Sequence, residues 1–444
     1  MRGLVPMFCA ILSTLGGCDR KSGAGAPATP KPLTLVVSAD TEGWITPCGC
    51  TSNQSGGMPR RATYLSSLST DRQVVYADAG GAPAGTSDYQ KLKFEAILQG
   101  ELKMNVAAHN LGRAEAALGA SYLRDLAIRL KVPFVSANVR TADGVAIADP
   151  VKIITAGPTR IAFTGVLSPS LAPDSVHAAD PHQSVLNALE SAKGNYDVLV
   201  VLAYLPAKEI ETFAASLPEA DLVIGGPTDQ PIPPRNIGPT LLASSTGKGK
   251  FVVQLDKPAQ SPWTGKIVQM DGAYSDDPAQ TQVLQAYLAN LRTLDLPSSR
   301  TGFTPPLPPG APSDYRVSAN ASCVSCHKPE SDSWTSTNHA HAWQTLVAKN
   351  FDPDPFCRKC HTTAYGLPGG FDSLSTTPAL VNIGCETCHG PSAAHVANPR
   401  TRTPYAASDQ CTRCHDHDNS PKFEFTSYWQ KIRHGPVKPS GRGE

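Results

Sequence analysis

Four times in the last third of the chain, two cysteines stand three positions apart with a histidine directly after the second. The segments are Cys323-Val-Ser-Cys326-His327, Cys357-Arg-Lys-Cys360-His361, Cys385-Glu-Thr-Cys388-His389 and Cys411-Thr-Arg-Cys414-His415. This spacing lets two thiols reach the two vinyl groups of one porphyrin while the adjacent imidazole lies under the ring, on the iron. It is the attachment signature of c-type haem. Paired CxxC segments can also hold zinc through four thiolates, but that site asks for no histidine after the second cysteine. Disulfides leave the histidines equally unexplained. A thioredoxin-like redox pair needs one CxxC on a βαβ scaffold. Histidine is 12 of 444 residues, so four such coincidences by chance have a probability on the order of one in a million. The sequence therefore predicts four haem c groups, held by these eight cysteines and by His327, His361, His389 and His415.

Each iron has a second axial position. The five methionines are Met1, Met7, Met58, Met104 and Met270. All precede the haem motifs, so a thioether ligand, which raises potential, would require Met270 to fold back. The other candidates are His339, His341, His395, His417 and His434. Bis-histidine haems of low potential are the expectation.

The N-terminus reads as a targeting segment. Arg2 precedes a mostly apolar run from Leu4 to Leu15, too short to span a bilayer and suited to a signal-peptide core. Leu15-Gly16-Gly17-Cys18 resembles a bacterial lipobox, which implies lipidation of Cys18, with an ordinary signal peptide as the plainer reading. Residues 1–17 are thus expected to be a signal peptide and 18–32, rich in Ala, Gly, Pro and Ser, a tether. The expected location is periplasmic, anchored to the membrane by lipid.

From Leu33 short β-branched runs alternate with helical patterns as far as Asp256, which argues for an α/β domain over 33–256. Residues 257–313 are expected to hold one amphipathic helix, Pro278–Leu294, then a stiff Pro305-Pro306-Leu307-Pro308-Pro309-Gly310 linker. Strand patterning fades beyond Asp314, and residues 314–444 are expected to form a small, mainly α/coil haem domain. The formal net charge of +1 gives no field suited to nucleic acid. From residue 314 onward 13 Lys/Arg face 12 Asp/Glu, which names no particular redox partner.

The tail resembles the tetrahaem cytochrome c554 family over about residues 320–435. The resemblance rests on Trp334-Thr-Ser-Thr-Asn-His339-Ala, on Gly384-Cys-Glu-Thr-Cys-His-Gly-Pro391 with His395, and on Tyr428-Trp-Gln-Lys-Ile-Arg-His434-Gly. It implies distal ligation by His339, His395 and His434. His341 and His417 are secondary candidates, each also readable as a solvated or propionate-contacting side chain. Three distal histidines for four haems leave one iron open, or closed by His341 or His417; the family includes one five-coordinate haem.

Residues 33–256 resemble the two-sheet metallophosphoesterase fold of bacterial 5′-nucleotidases. The frame comprises Leu33–Asp40 and Gly43, Gly56-Gly57-Met58-Pro-Arg-Arg61, Val75-Tyr-Ala-Asp78-Ala-Gly-Gly81, Gly112–Gly119, Pro133–Asn138 and Asp221-Leu-Val-Ile-Gly-Gly226. Most ligands of the family's two metals are replaced: Asp40-Thr-Glu42 for Asp-x-His, Gly81 for Asp, Arg113-Ala114 for Asn-His, Tyr204 for a His, and Pro227-Thr-Asp229 for His-x-His. Two-metal hydrolysis needs the full set. Asp40, Glu42 and Asp229 could hold at best one weak oxygen-liganded ion, so a phosphatase without activity, serving as a docking or structural domain, is expected. Cys48-Gly49-Cys50 sits in the loop where that active site would be. A disulfide within it is strained, which leaves a soft-metal site for Cu(I) or zinc or plain loop thiols.

The leading expectation is an exported electron carrier with a redox-protein partner. The alternatives are a redox enzyme acting on a small nitrogen or sulfur compound at an open haem, a metal-dependent nucleotidase with attached haems, and a haem-chain assembly module.

Overall fold

The computed structural model describes residues 31–47, 54–258, 261–403 and 407–434. The expected signal peptide, Cys18 and nearly all of the tether lie outside the described residues, as do Cys48 and Cys50. Among the described residues no helix is long and apolar enough to cross a membrane.

In chain order the strands are β1 (Leu33–Ser38), β2 (Gln73–Asp78), β3 (Val106–Asn110), β4 (Phe134–Val135), β5 (Val139–Arg140), β6 (Val151–Ala156), β7 (Thr159–Leu167), β8 (His177–Ala178), β9 (Val198–Tyr204), β10 (Leu222–Gly226), β11 (Ile232–Ile237), β12 (Thr240–Ser244), β13 (Phe251–Lys257) and β14 (Thr264–Gln269). They form two six-stranded sheets, β14-β13-β1-β2-β3-β4 and β11-β12-β10-β9-β7-β6, with β5 and β8 as a small ribbon. The helices of this part are α1 (Met58–Leu68), α2 (Asp88–Lys103), α3 (Arg113–Ala117), α4 (Ala120–Leu130), α5 (Pro181–Glu190), α6 (Ala207–Ser216) and α7 (Pro278–Leu294).

Strand periodicity places the core. Leu33, Leu35 and Val37 face the second sheet, packing with Val200, Leu202 and Ile224, while Val36 points the other way, toward Tyr64 and Met270. Successive side chains alternate faces, and both faces of β1 are covered. Helices α5 and α6 cover the outer face of the second sheet through Val185, Leu189, Ile210 and Phe213. Helices α2, α4 and α7 pack in the cluster of Phe94, Ile97, Leu123, Leu126, Tyr287 and Leu291. The C-terminal ends of the parallel strands β1, β2, β9 and β10 meet at one rim, where open α/β sheets place their sites.

The structure departs from the sequence reading at several points. The first sheet does not end at Asp256: β14 pairs antiparallel with β13 from Phe251↔Gln269 to Asp256↔Thr264. The run 134–138 splits, with β4 in the first sheet and β5 in the ribbon. Residues 298–304, just ahead of the proline-rich run 305–310, are tied to both parts. Ser87 Oγ donates to Thr301 O at 2.9 Å, Arg300 pairs with Asp88 at 2.6 Å, and Ser298 Oγ donates to Asp372 at 2.7 Å. Among its described residues the C-terminal region then winds through eight short helices: α8 (Asn320–Val324), α9 (Lys328–Thr335), α10 (Ala342–Ala348), α11 (Pro355–His361), α12 (Cys385–His389), α13 (Ala393–Ala397), α14 (Ala407–Cys411) and α15 (Phe425–Ile432).

Candidate functional site

Each of the helices α8, α11, α12 and α14 carries at least the first cysteine of a motif, so each thiol pair lies on or just past a helical turn. None of the eight cysteines is bridged in a disulfide. Cys323 lies within side-chain hydrogen-bond reach of Cys385, and Cys360 of Cys414; Cys388 neighbours Cys411 and Cys414, so the four attachment points form one cluster. Among the described residues no three of these thiols and imidazoles converge on a common ion position, so no four-thiolate zinc site is assembled.

The histidines come together in pairs. The ring of His327 faces that of His395 with centroids 6.1 Å apart. His415 faces His339 at 6.3 Å, and His389 faces His434 at 6.0 Å. An ion bonded at about 2 Å to one nitrogen of each ring would hold the two centres roughly 6 Å apart. Each pair joins one motif histidine to one histidine from elsewhere in the chain. Among the described residues no second imidazole makes ring contact with His361. His341 is exposed and directs Nε2 to Thr335 O at 3.0 Å; His417 is also exposed.

Hydrogen bonds fix the ring orientations. Nδ1 of His361 donates to Ala342 O at 2.7 Å, that of His395 to Thr401 O at 2.8 Å and that of His434 to Ile432 O at 3.0 Å. A carbonyl only accepts, so Nδ1 carries the proton and Nε2 keeps the lone pair a metal needs. Burial holds His339, His361, His389 and His415 below the ordinary imidazole value, in the neutral form that ligation requires. Met270 is fully buried in the α/β core and does not fold back to this region. The donor set thus fits haem: unbridged thiol pairs, neutral imidazoles and ring separations matched to two axial ligands.

The second candidate site is the rim of the two sheets. Asp40 and Glu42, both at positive φ (50° and 47°), follow β1 and are pinned by Asp40 N→Gly80 O and Glu42 N→Gly81 O, each 2.9 Å. Tyr204, at the end of β9, donates its phenol to Asp40 Oδ1 at 2.9 Å, and Thr246 donates to Oδ2 at 3.0 Å. The Tyr204 ring occupies the space that side chains at positions 81 and 112 would enter: a Cβ on Gly81 would meet Tyr204 and Asp40, and one on Gly112 would meet Tyr204 at 2.9 Å. Burial pushes the Asp40 carboxyl up to about 7, against the lowering hydrogen bonds from Tyr204 and Thr246. Above this floor lies an open cleft of about 450 Å³, lined by Asp40, Glu42, Thr228, Asp229, Thr246, Lys248, Lys250 and Asp418. Asp418 comes from the C-terminal region, three residues past His415. Its carboxylate pairs with Lys248 and lies 3.5 Å from Lys250, and its carbonyl accepts from Gln54 Nε2 at 3.2 Å.

Beneath the rim is a buried ion network that the sequence reading missed. His109 Nδ1 meets Glu101 Oε2 at 2.7 Å and Nε2 meets Glu115 Oε1 at 3.3 Å. Glu115 also accepts Gly81 N at 3.0 Å and Ala82 N at 2.7 Å. Burial alone would lower His109, but the Glu101 and Glu115 carboxylates override it and hold the imidazole well above its usual value. Arg61, fully buried, donates to Tyr76 Oη at 2.9 Å and Ser38 Oγ at 3.1 Å. Asp78, Glu101 and His109 bring ligand atoms within 4.8 Å of one another, but both His109 nitrogens are committed to carboxylates and the Arg61 guanidinium already supplies a second cation. Two cations face three carboxyl groups, of which burial pushes Asp78 up toward its protonated form, so the network comes close to balance without an added ion. The only sequence signal was a scatter of charges at the ends of apolar strands.

Comparison with known proteins places both parts. Residues 322–390 match the family described as cytochrome c554 and c-prime. Cytochrome c-554 of Nitrosomonas europaea is 37% identical over 84 residues, covering 16% of this chain and 36% of that protein, so the chain spans about a third of the length of the curated relative it matches. The 5′-nucleotidase precursor of Thermus thermophilus superposes with a TM-score of 0.51 at 19% identity, over 72% of this chain and 68% of that one. The sulfate thiohydrolase SoxB of the same organism gives 0.51 at 16% identity, over 62% of this chain and 63% of its own. At such identities the likeness is one of fold. The described chain thus has a metallophosphoesterase-like α/β fold followed by a mainly helical region whose residues 322–390 match the cytochrome c554 and c-prime family.

Proposed function

We propose that this chain is an exported electron-transfer protein with haem c attached at all four thiol pairs, three of the irons bis-histidine and one held by His361 alone. The reading is carried by the three imidazole pairs, 327/395, 415/339 and 389/434, at 6.0–6.3 Å. Haem supplies one-electron exchange at its iron when bound. Burial keeps His339, His361, His389 and His415 neutral, carbonyl hydrogen bonds fix the rings of His361, His395 and His434, and the four attachment points lie in one cluster. A second imidazole favours ferrous iron less than a thioether does, so low potentials follow. The partner is a redox protein, and export with a lipid on Cys18 rests on the Leu15-Gly16-Gly17-Cys18 sequence. The rim of the α/β part is read as catalytically silent, because Tyr204 fills the space of the replaced metal ligands and its phenol caps Asp40.

Intact mass and electron paramagnetic resonance of protein matured with a cytochrome c assembly system test this together. Four haem masses with three low-spin signals and one high-spin signal are expected. Fewer than four haems, or two or more high-spin signals in fully loaded protein, would overturn the assignment.

A second reading is favoured by His361 having no facing imidazole among the described residues: a redox enzyme whose small nitrogen or sulfur substrate binds the open side of that iron. A high-spin signal that shifts with nitrite, hydroxylamine or nitric oxide, together with turnover, would move the assignment from carrier to enzyme.

A further inference from the structure

Helix α11 carries the second thiol pair and His361, and the α/β part grips it firmly. Its N-cap is Asp354, 4% exposed, which accepts Phe356 N at 2.9 Å. The same carboxylate is held from α2: Tyr89 donates to Asp354 Oδ1 at 2.6 Å, Lys93 donates to Tyr89 Oη at 2.9 Å, and Lys93 Nζ is 3.9 Å from Asp354 Oδ2. The Phe356 ring meets Trp44, from the rim loop after β1, edge-on at 5.4 Å, and Lys93 Nζ lies 5.1 Å from its centre. Arg358, 2% exposed, donates to Asp295 Oδ1, at the C-cap of α7, at 2.8 Å.

Helices α8 and α12 are tied differently, to each other. Glu386 accepts Ser318 N at 2.9 Å and Ala319 N at 2.8 Å, and Asn320 Oδ1 accepts Cys385 N at 2.9 Å. At their two sites a second histidine also faces the motif histidine. His361 has no such partner among the described residues, so the helix that bears it must supply the rigidity that the missing ring would have given.

We propose that the α/β part is a clamp for the single-histidine site, with Tyr89, Lys93 and Asp295 as positioning residues that set the spin state and ligand access of the Cys357/Cys360 haem by holding Asp354, Phe356 and Arg358. This assigns the catalytically silent fold a task, and it rests on the reading of His361 as sole axial histidine.

The test uses full-length, haem-loaded protein with Tyr89→Phe, which keeps the ring and removes the hydroxyl, and separately Asp295→Asn. With four haems retained, the high-spin resonance should change shape and the rate of cyanide binding to that iron should change by about tenfold, while the three low-spin signals stay as in wild type. Wild-type cyanide rates and an unaltered high-spin signal in both variants would overturn the clamp, as would equal shifts of all four signals. Should either variant lose haem or fail to accumulate, Lys93→Met is read by the same criteria. If the wild type has no high-spin signal, the single-histidine reading fails on its own. The clamp is then judged by redox titration of the variants: one wave moving alone retains it, and none moving overturns it.

Discussion

Strand β9 and helix α12 are held by different means. β9 reads Val-Leu-Val-Val-Leu-Ala-Tyr, is buried throughout and lies between two parallel neighbours. Each of its valines and leucines contributes about 1.5–3 kcal/mol by leaving water, and the ladder satisfies its backbone. α12 is five residues, Cys385–His389, and buries only Glu386, whose carboxylate staples neighbouring backbone N–H groups. The pattern extends to the whole of each part. The α/β part has large apolar clusters on both sides of its sheets, whereas the C-terminal region has a small one around Tyr365, Phe371 and Leu380 and helices of one or two turns. Helices that short are not stable on their own. One part is held by its own side chains, and the other needs the group its cysteines bind.

The sharpest way to break this contrast is to withhold the haem. Chain made without a haem-attachment system should lose the fold of residues 314–434, seen as rapid proteolysis there, while residues 33–297 stay protected. Equal protection of both parts would show that the C-terminal region is self-supporting after all. Next in size is the buried network. His109→Leu strands Glu101 and Glu115 in the core and should cost about 3–5 kcal/mol, read as a lower urea midpoint for the α/β transition. Because the carboxylates raise His109, its contribution is fully present below the unfolded imidazole value and is lost only as pH rises through the higher folded one.

A third prediction concerns Asp40. Burial raises it from 3.8 to about 7, so the native state holds this proton more tightly than the unfolded chain. Its stabilisation is complete below about pH 4 and disappears as pH climbs through 7, a change on the order of 4 kcal/mol. Asp40→Asn keeps the acceptor for Tyr204 and leaves Thr246 free to reverse its hydrogen bond. Thermal melts should place the variant above wild type at pH 8 with the gap closing toward pH 5. A constant gap would mean that the carboxyl is not the titrating group.

Much of this architecture was legible in the sequence, and the exceptions have physical causes. Apolar runs such as Leu33–Ser38 and Val198–Tyr204 are strands because both faces are covered. Helix α7 begins at Pro278, where Asp277 caps Gln280 N at 2.9 Å, and ends where Asp295 turns left-handed at φ 36°. β11 was hidden by Pro233 and Pro234, which an edge strand tolerates at a register shift, and β3 by its Ala-Ala-His-Asn composition. The thiol motifs were plain because their spacing is dictated by one porphyrin. The pairing of histidines 45 to 76 positions apart in sequence, and the placement of His361 with no facing imidazole among the described residues, came only with the fold. Lys248, Lys250 and Asp418 were missed because nothing local marks a contact spanning 170 residues.

That contact gives the smallest predicted effect and tests whether the two parts are joined mainly at α11. Asp418 is partly exposed, as are Lys248 and Lys250, with side-chain exposures of 23, 32 and 27%. Ion pairs of this kind contribute about 0.2–1 kcal/mol. Burial works to raise the Asp418 carboxyl, but the hydrogen bond and charge of Lys248 outweigh it and hold the group below its ordinary value. The contact is therefore present above pH 4 and fades as pH falls through the depressed value. A double-mutant cycle of Lys248→Met and Asp418→Asn in haem-loaded protein should give a coupling of at most about 1 kcal/mol that weakens with added salt, with the haem spectrum unchanged. A coupling several times larger would make the rim of the two sheets, rather than α11, the principal joint of the molecule.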